Sequence, residues 1–380
     1  MNIKILQGDC IETLQKLDDK SINTCITSPP YWGLRNYNDE EKQLGMEYTP
    51  EEFVNNLVKV FREVKRVLRD DGTVWLNLGD SYAMSSIRGG NKKFSGNVGA
   101  HNHYEKSIKK GKRKIPNGLK PKDLIGIPWR VALALQQDGW YLRQDIIWHK
   151  PNPMPESVKD RCTKAHEYIF LLSKNVKYYF DNEAIKEDAK FPEGPNSAHN
   201  IRKGSDDPKM RTRVGLNKIG ANPKRNKRSV WAITTKPFKG AHFATFPMDL
   251  IEPCVLAGCP EKICVDCGKP YKRVMQQPKQ LEVKRGRRAG TDDRLIGGVL
   301  DKYKRENPPI DLGLQKQCDC ETNETKAGTV LDPFGGSGTT GIVAVNHNRH
   351  AVLCELNQEY IDLAKDRINQ EGGMFVDITE

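Results

Sequence analysis

Residues 330–341 read VLDPFGGSGTTG: a short apolar run meets an acid and a proline, then glycines, then small residues that can open a helix. That order describes a buried strand turning tightly into a helix. TTGIVAVNHN, HAVLCEL and NQEYIDLAKDRINQ continue it as helix, strand and helix. Repeated strand–helix alternation of this kind implies a mostly parallel sheet wound in both directions.

The front of the chain alternates in the same way. IKILQGD, SINTCITS and TVWLNLGD read as strands and CIETLQKL as a short helix. TPEEFVNNLVKVFREVKRVLRDDG is the strongest helix in the sequence. Thr49 and Glu52 make a capping box, Pro50 takes the first helical position, and Gly72 lies just past the expected end. Phe53, Leu57, Val60, Phe61, Val64 and Leu68 fall on one face, as core packing requires. PWRVALALQQDGW reads as a helix, YLRQDIIWHK as a strand, and HEYIFLLSK with KYYFDN as a further strand pair. Order returns at SVWAI and at FPMDLIEPCVLAG, a helix in which Cys254 reads as core.

The predicted fold is therefore α/β, a doubly wound, mostly parallel, Rossmann-like sheet with basic loop insertions and a small zinc-ribbon-like insertion. One half spans 1–185 with a basic loop at about 85–122, and the other spans 229–261 with 327–380. Between them lie an aperiodic polar insertion at 186–228, a candidate target-recognition segment, and a cysteine-framed insertion at 262–326.

The glycine turn indicates a ligand. Gly335, Gly336 and Gly338 allow a tight turn and close approach of backbone, and Glu355 ends the next strand where it can accept from ribose hydroxyls. No G-x-G-x-x-G and no P-loop lysine is present, which argues against dinucleotide and triphosphate ligands. Asp332, just before the turn, repels a pyrophosphate and suits an ammonium group. S-adenosyl-L-methionine carries an ammonium, a ribose and no phosphate, and is the expected cofactor.

The formal charge of +12 favours a polyanionic partner, and the positive charge comes in blocks. Lys92, Lys93, Lys106, Lys109, Lys110, Lys112, Arg113 and Lys114 stand against a lone Glu105, and RKGSDDPKMRTRVGLNKIGANPKRNKRS is basic, glycine-rich and proline-bearing. Basic loops beside a cleft suit a phosphate backbone, so double-stranded DNA is the expected partner. No run approaches the ~18 apolar residues of a membrane span, and MNIKILQGDC shows no signal-peptide pattern. The expected location is cytoplasmic, where the ten cysteines stay reduced. Four of them, Cys264 and Cys267 in CVDC and Cys318 and Cys320 in CDC, have the paired spacing of a structural zinc site, with Cys259 as a substitute ligand.

TSPPYW ends the second strand. Pro29 and Pro30 lack backbone donors and stiffen the chain, so the carbonyls of Ser28 and Pro29 and the Ser28 hydroxyl can form a polar notch for an amino group. Tyr31 offers a face for stacking a planar ring. After a later strand, residues 148–161 (WHKPNPMPESVKDR) form a proline-rich basic loop that can border the same pocket with His149 or Lys150.

These motifs resemble those of the DNA amino-methyltransferases, which modify the exocyclic nitrogen of cytosine or adenine. Ser28, Pro29, Pro30 and Tyr31 match the family's catalytic tetrad; Phe334, Gly336 and Gly338 match its cofactor motif. The tetrad comes first, as in the family's β group. The resemblance implies cofactor contacts from Asp9 of the QGD turn, Asp332, Pro333, Phe334, Gly336, Gly338, Thr339 and Glu355, and a cofactor-wrapping helix at FATFPMDLIEPC. A restriction endonuclease is a candidate counterpart that the sequence leaves open. The resemblance further implies direct displacement on a base flipped out of the duplex, with Ser28 and the Pro29 carbonyl accepting from the amine and Tyr31 stacking on the ring. Serine at the first tetrad position points to cytosine N4, with adenine N6 as the alternative. An inactive zinc-containing DNA-binding protein and an RNA or protein-amide methylase are the competing readings.

Overall fold

The computed structural model describes residues 1–33, 43–83, 115, 118–189, 224–236, 246–278, 303, 306–371 and 376–379. Most of the basic loop at 85–122, most of the 186–228 insertion and the middle of the cysteine-framed insertion lie outside the described residues. The chain forms two units, one made of 1–180, 229–263 and 325–380, the other of 181–228 and 264–324.

The first unit is built on a nine-stranded sheet. In chain order its strands are β1 (Asn2–Gln7), β2 (Ile22–Thr27), β3 (Leu68–Leu78), β4 (Tyr141–His149), β5 (His166–Ser173), β6 (Val230–Ala232), β7 (Thr329–Asp332), β8 (His350–Glu355) and β9 (Asp377–Thr379). Across the sheet they run β9–β1–β8–β7–β2–β3–β5–β4–β6. Only β5 is reversed, antiparallel to both β3 and β4; every other pairing is parallel. From β2 the chain builds outward through β3, and from β7 it builds outward the other way through β8. The β2–β7 pair is thus the point where strand order reverses, and open α/β sheets bind ligands outside the carboxyl ends of the strands at such a point.

Among the described residues six helices cover the sheet: α1 (Cys10–Leu14), α2 (Pro50–Val67), α3 (Ile127–Gln137), α4 (Met248–Gly258), α5 (Thr339–Asn346) and α6 (Gln358–Glu371). Side chains alternate between faces along a strand. On one face Cys25, Val74, Leu76 and Phe170 pack with Phe53, Leu57, Phe61 and Val64 of α2 and Val131 and Leu135 of α3. On the other, α4 lies so close that a Cβ on Gly258 would sit 2.6 Å from Trp75 Nε1, 2.9 Å from Thr24 Oγ1 and 3.0 Å from Thr73 Oγ1. All three neighbours are buried, so none can swing clear. Gly258→Ala is therefore expected to destabilise the protein by about 1–3 kcal/mol, the usual cost of overpacking a tight core, seen as a lower midpoint in denaturant unfolding.

The capping box of α2 forms as expected, with Glu52 N–H on Thr49 Oγ1 at 3.1 Å and Thr49 N–H on Glu52 Oε2 at 3.2 Å. The helix ends earlier than Gly72 marked. Leu68 turns extended at ψ 139° and is fully buried, so the chain passes directly into β3. Gly72 lies inside that strand, where a Cβ would meet Leu68 Cδ2 at 2.7 Å. KYYFDN is irregular rather than a strand: Tyr179 is held by its N–H on the Asp71 carbonyl at 2.9 Å, and Phe180 stacks on Trp75. No described helix is long and apolar enough to cross a membrane.

The second unit has little regular structure among the described residues. Residues 272–276 and 310–315 pair antiparallel, and 187–188 pair with 224–225. Arg273 reaches Asp311 at 2.8 Å and Asp181 at 3.3 Å.

Candidate active site

The two sequence motifs meet at the strand-order reversal. β2 lies beside β7 in register Val330↔Thr24 and Leu331↔Cys25, so Thr27 and Asp332 end neighbouring strands. Thr27 Oγ1 donates to Asp332 Oδ1 at 2.6 Å. Ser28 follows directly. The chain places the SPPY segment and the glycine turn on one edge of one sheet, joined by a buried hydrogen bond.

On the SPPY side, the half-buried Ser28 hydroxyl donates to Asn77 Oδ1 at 3.3 Å. A hydroxyl whose proton is committed in this way is an acceptor toward anything else that approaches. Asn77 is 4 % exposed and is oriented by its own amide, which donates to the Tyr168 carbonyl at 3.1 Å. The Tyr31 hydroxyl donates to Glu167 Oε2 at 2.8 Å and lies 3.2 Å from Asn77 Oδ1. Glu167 in turn pairs with the Lys150 ammonium, which sits 4.2 Å from the Trp148 ring centroid. The Tyr31 ring rests on Gly79, whose missing side chain makes room: a Cβ there would stand 2.5 Å from Tyr31 Cε2. Pro29 is buried and Pro30 half-buried, which fits a stiff segment anchored from below.

On the glycine side, Glu355 organises the turn. Its Oε2 accepts from Gly336 N–H at 2.8 Å, its Oε1 from Asn357 N–H at 2.9 Å, and its carbonyl from Gly8 N–H at 3.0 Å. Burial holds its pKa above the usual carboxylate value, with the charge of Asp332 adding and these backbone donors opposing. Asp9 caps α1, accepting from Ile11 and Glu12 N–H at 2.9 and 3.1 Å. The carboxylates of Asp9, Asp332 and Glu355 converge on the buried Cys354 thiol. Its pKa is pushed up to about 12, chiefly by desolvation and further by all three charges. Among the described residues none of the three carboxylates forms an ion pair, so this edge is suited to a cationic ligand.

Asp332 differs from its sequence reading. Its carboxylate is 1 % exposed, with Oδ1 taken by Thr27 Oγ1 and Phe334 N–H (3.0 Å) and Oδ2 by Thr340 Oγ1 (2.6 Å). Burial raises its pKa and those hydrogen bonds oppose the rise. With both oxygens engaged inside the protein, Asp332 ties β2, β7 and α5 together rather than offering itself to an ammonium. Pro333, Gly338 and Thr339 also lie below the surface, whereas Phe334 and Gly336 are half-exposed. Gly338 takes φ +75°, and a Cβ there would stand 3.0 Å from Ala364 Cβ. The Arg367 guanidinium donates to Thr339 Oγ1 at 3.0 Å and to the Ser337 carbonyl at 2.7 Å, bracing the turn against α6.

Asn77, Glu167, Gly79 and Thr27 are absent from the sequence-derived set. Asn77 and Glu167 had one visible signal, a polar residue set within or at the mouth of an apolar strand (WLNL, HEYIFLL). Lys150, read as bordering the pocket, is joined to Tyr31 through Glu167, while the FATFPMDLIEPC helix begins at Met248 and residues 243–245 fall outside the described set. In the second unit, Cys264, Cys267, Cys318 and Cys320 come together with all four sulfurs within 4.8 Å of one another; Cys259 is buried in the first unit instead.

Comparison with known proteins places this arrangement. A family model described as DNA methylase, of the N6 and N4 type, matches residues 22–267 and 320–366. Type II methyltransferase M.SmaI of Serratia marcescens is 41 % identical over 365 residues, 96 % of this chain and 90 % of that protein. Type II methyltransferase M.Cfr9I of Citrobacter freundii is 38 % identical over 371 residues, 97 % of this chain and 88 % of its own length. Among solved structures, the cytosine-N4-specific PvuII DNA methyltransferase shares the fold, with a TM-score of 0.51 at 16 % identity over 97 % of this chain and 86 % of that one.

Proposed function

The chain belongs to the N6/N4 DNA methylase family, and we propose that it transfers the methyl group of S-adenosyl-L-methionine to the N4 amino group of cytosine in double-stranded DNA. The observation that carries this reading is the 2.6 Å bond between Thr27 and Asp332, which joins the end of the SPPY strand to the start of the glycine turn. The residues on the glycine side fit the cofactor. Glu355 is part-exposed with two backbone donors on its oxygens, leaving lone pairs for ribose hydroxyls, and the carboxylates of Glu355 and Asp9, in no ion pair among the described residues, favour a cation. When bound there, S-adenosyl-L-methionine supplies an electrophilic methyl group on a positively charged sulfur.

The chain's own residues prepare the other reactant. An exocyclic base amine is a poor nucleophile because its lone pair is shared with the ring. Ser28 Oγ, its proton committed to Asn77, accepts one amine hydrogen, and the Pro29 carbonyl accepts the other. Both favour a pyramidal nitrogen with its lone pair free, and after transfer the nitrogen sheds one of these two protons to solvent. Tyr31, held on Gly79 and steadied by Glu167, stacks on the flipped ring, worth about 1–3 kcal/mol against the few kcal/mol that flipping costs. Glu167 and Lys150 neutralise each other beside that shelf, so it stays attractive to an uncharged base. Holding the two reactants in line supplies much of the remaining acceleration. In this reading Asp9, Phe334 and Gly336 line the cofactor side, and Asp332, Pro333, Gly338 and Thr339 set its shape from beneath.

Serine in the first tetrad position favours cytosine N4 over adenine N6, and the names of the two Type II relatives favour a restriction endonuclease counterpart. Duplex DNA incubated with the protein and methyl-labelled cofactor, digested to nucleosides and analysed by mass spectrometry, is expected to contain labelled N4-methyldeoxycytidine. Label confined to N6-methyldeoxyadenosine would overturn the cytosine assignment while keeping the family's chemistry. No label in any base would overturn the enzyme.

A further inference from the structure

Cys264, Cys267, Cys318 and Cys320 form no disulfide, and their sulfurs lie within 4.8 Å of one another. Four thiolates around one tetrahedral zinc stand about 3.8 Å apart when each Zn–S bond is about 2.3 Å, so the cluster needs only a slight contraction. Both loops are already shaped for it. In the first, Gly268 takes φ +66° and donates its N–H to the Cys264 carbonyl at 2.9 Å, while Cys264 N–H donates to the Lys269 carbonyl at 3.0 Å. That turn brings the thiols of Cys264 and Cys267 to one side. In the second, the Lys316 ammonium donates to the carbonyls of Cys320 and Thr322, closing the C-x-C loop and setting a positive charge beside it.

The described residues of the surrounding unit show little buried core. Residues 272–276 and 310–315 pair as an antiparallel ribbon, yet neither strand contains a buried residue. A two-stranded ribbon without a core is marginal in water, and small core-poor folds are commonly held by a metal. The ribbon's open end is the Lys272↔Gln315 pair, with Cys267 five residues before Lys272 and Cys318 three after Gln315. The cysteines therefore stand where a staple would close the ribbon. From the ribbon, Arg273 reaches Asp181, whose side chain is 9 % exposed, linking the ribbon to the other insertion of the same unit.

We propose that these four cysteines bind one zinc ion that fastens the second unit. Zinc replaces the four thiol protons, which leave to solvent, giving a centre of net charge −2 that Lys316 partly offsets. Four protein ligands leave no open coordination position, so the ion is structural.

Elemental analysis of the full chain, produced in medium holding both zinc and iron, is expected to find about one zinc per chain. Cys318→Ser should reduce this to below about a tenth. Cys318→His, which keeps a four-ligand set, and Cys162→Ser, at an exposed cysteine outside the cluster, should both retain it. Cobalt titration of the stripped wild-type protein should give the visible absorption of a tetrahedral thiolate site, abolished by added zinc; this readout does not depend on any variant folding. Limited proteolysis should then cut within 264–278 and 306–324 after stripping and not before. Stoichiometric iron in place of zinc, wild-type zinc content in Cys318→Ser, or no tetrahedral cobalt spectrum would each overturn the assignment.

Discussion

Ser28→Ala is expected to slow methyl transfer to duplex DNA by about 10²–10³-fold while leaving cofactor affinity within about twofold of wild type. In the proposed function the hydroxyl meets the amine and not the methyl donor, its proton being committed to Asn77. Its loss also frees Asn77 Oδ1 beside Tyr31, but Asn77 stays anchored through the Tyr168 carbonyl at 3.1 Å, so the site should not collapse. Single-turnover transfer rates, set against equilibrium cofactor titration, separate the two quantities. An unchanged transfer rate would remove Ser28 from the chemistry. A large parallel loss of cofactor affinity would mean that the serine shapes the cofactor side instead.

The mirror-image result is expected for Glu355→Ala, namely loss of cofactor affinity by about 10²-fold or more with duplex DNA binding retained. Hydrogen bonds to a charged group contribute about 1.5–3 kcal/mol each, and Glu355 is read as serving two ribose hydroxyls while fixing Gly336 and Asn357. Isothermal titration with the cofactor and with a DNA duplex distinguishes the halves. Glu355→Gln is a poor rescue, because its amide nitrogen must face one of the two backbone N–H donors. The raised pKa adds a pH signature. Since the carboxylate takes up a proton more readily than an ordinary glutamate, cofactor affinity should start to fall at a higher pH on acidification than an unperturbed carboxylate would allow. The same shift means that the ionised form carries a cost in the folded state. Its contribution to stability is favourable when protonated and is lost as pH rises through the folded pKa.

Much of this arrangement is legible in the sequence, for identifiable reasons. The strand–turn–helix–strand order at 329–355 and the capping box at Thr49 are local, set by residues a few positions apart, and both appear as read. The end of α2 is not legible locally, because Gly72 is a local signal while the fate of Leu68 is set by the sheet beneath it. KYYFDN has strand-like composition, but its partners, Asp71 and Trp75, belong to a strand a hundred residues earlier. Asp332 shows the same limit within the site. Its position was readable, yet its role depends on Thr27, more than three hundred residues away, and on Thr340. Asn77 and Glu167 went unnoticed because an apolar strand masks the one polar residue that points to a neighbour.

In the proposed function the SPPY edge and the Glu355 edge line one crevice in which a methyl group passes from cofactor to base. A crystal structure of the protein with a non-transferable analogue of the cofactor tests it most directly. The expected complex has ribose hydroxyls on Glu355 and the methyl-bearing position directed toward Ser28 and Tyr31. An analogue bound away from Glu355, or one whose reactive end faces away from Ser28, would contradict it.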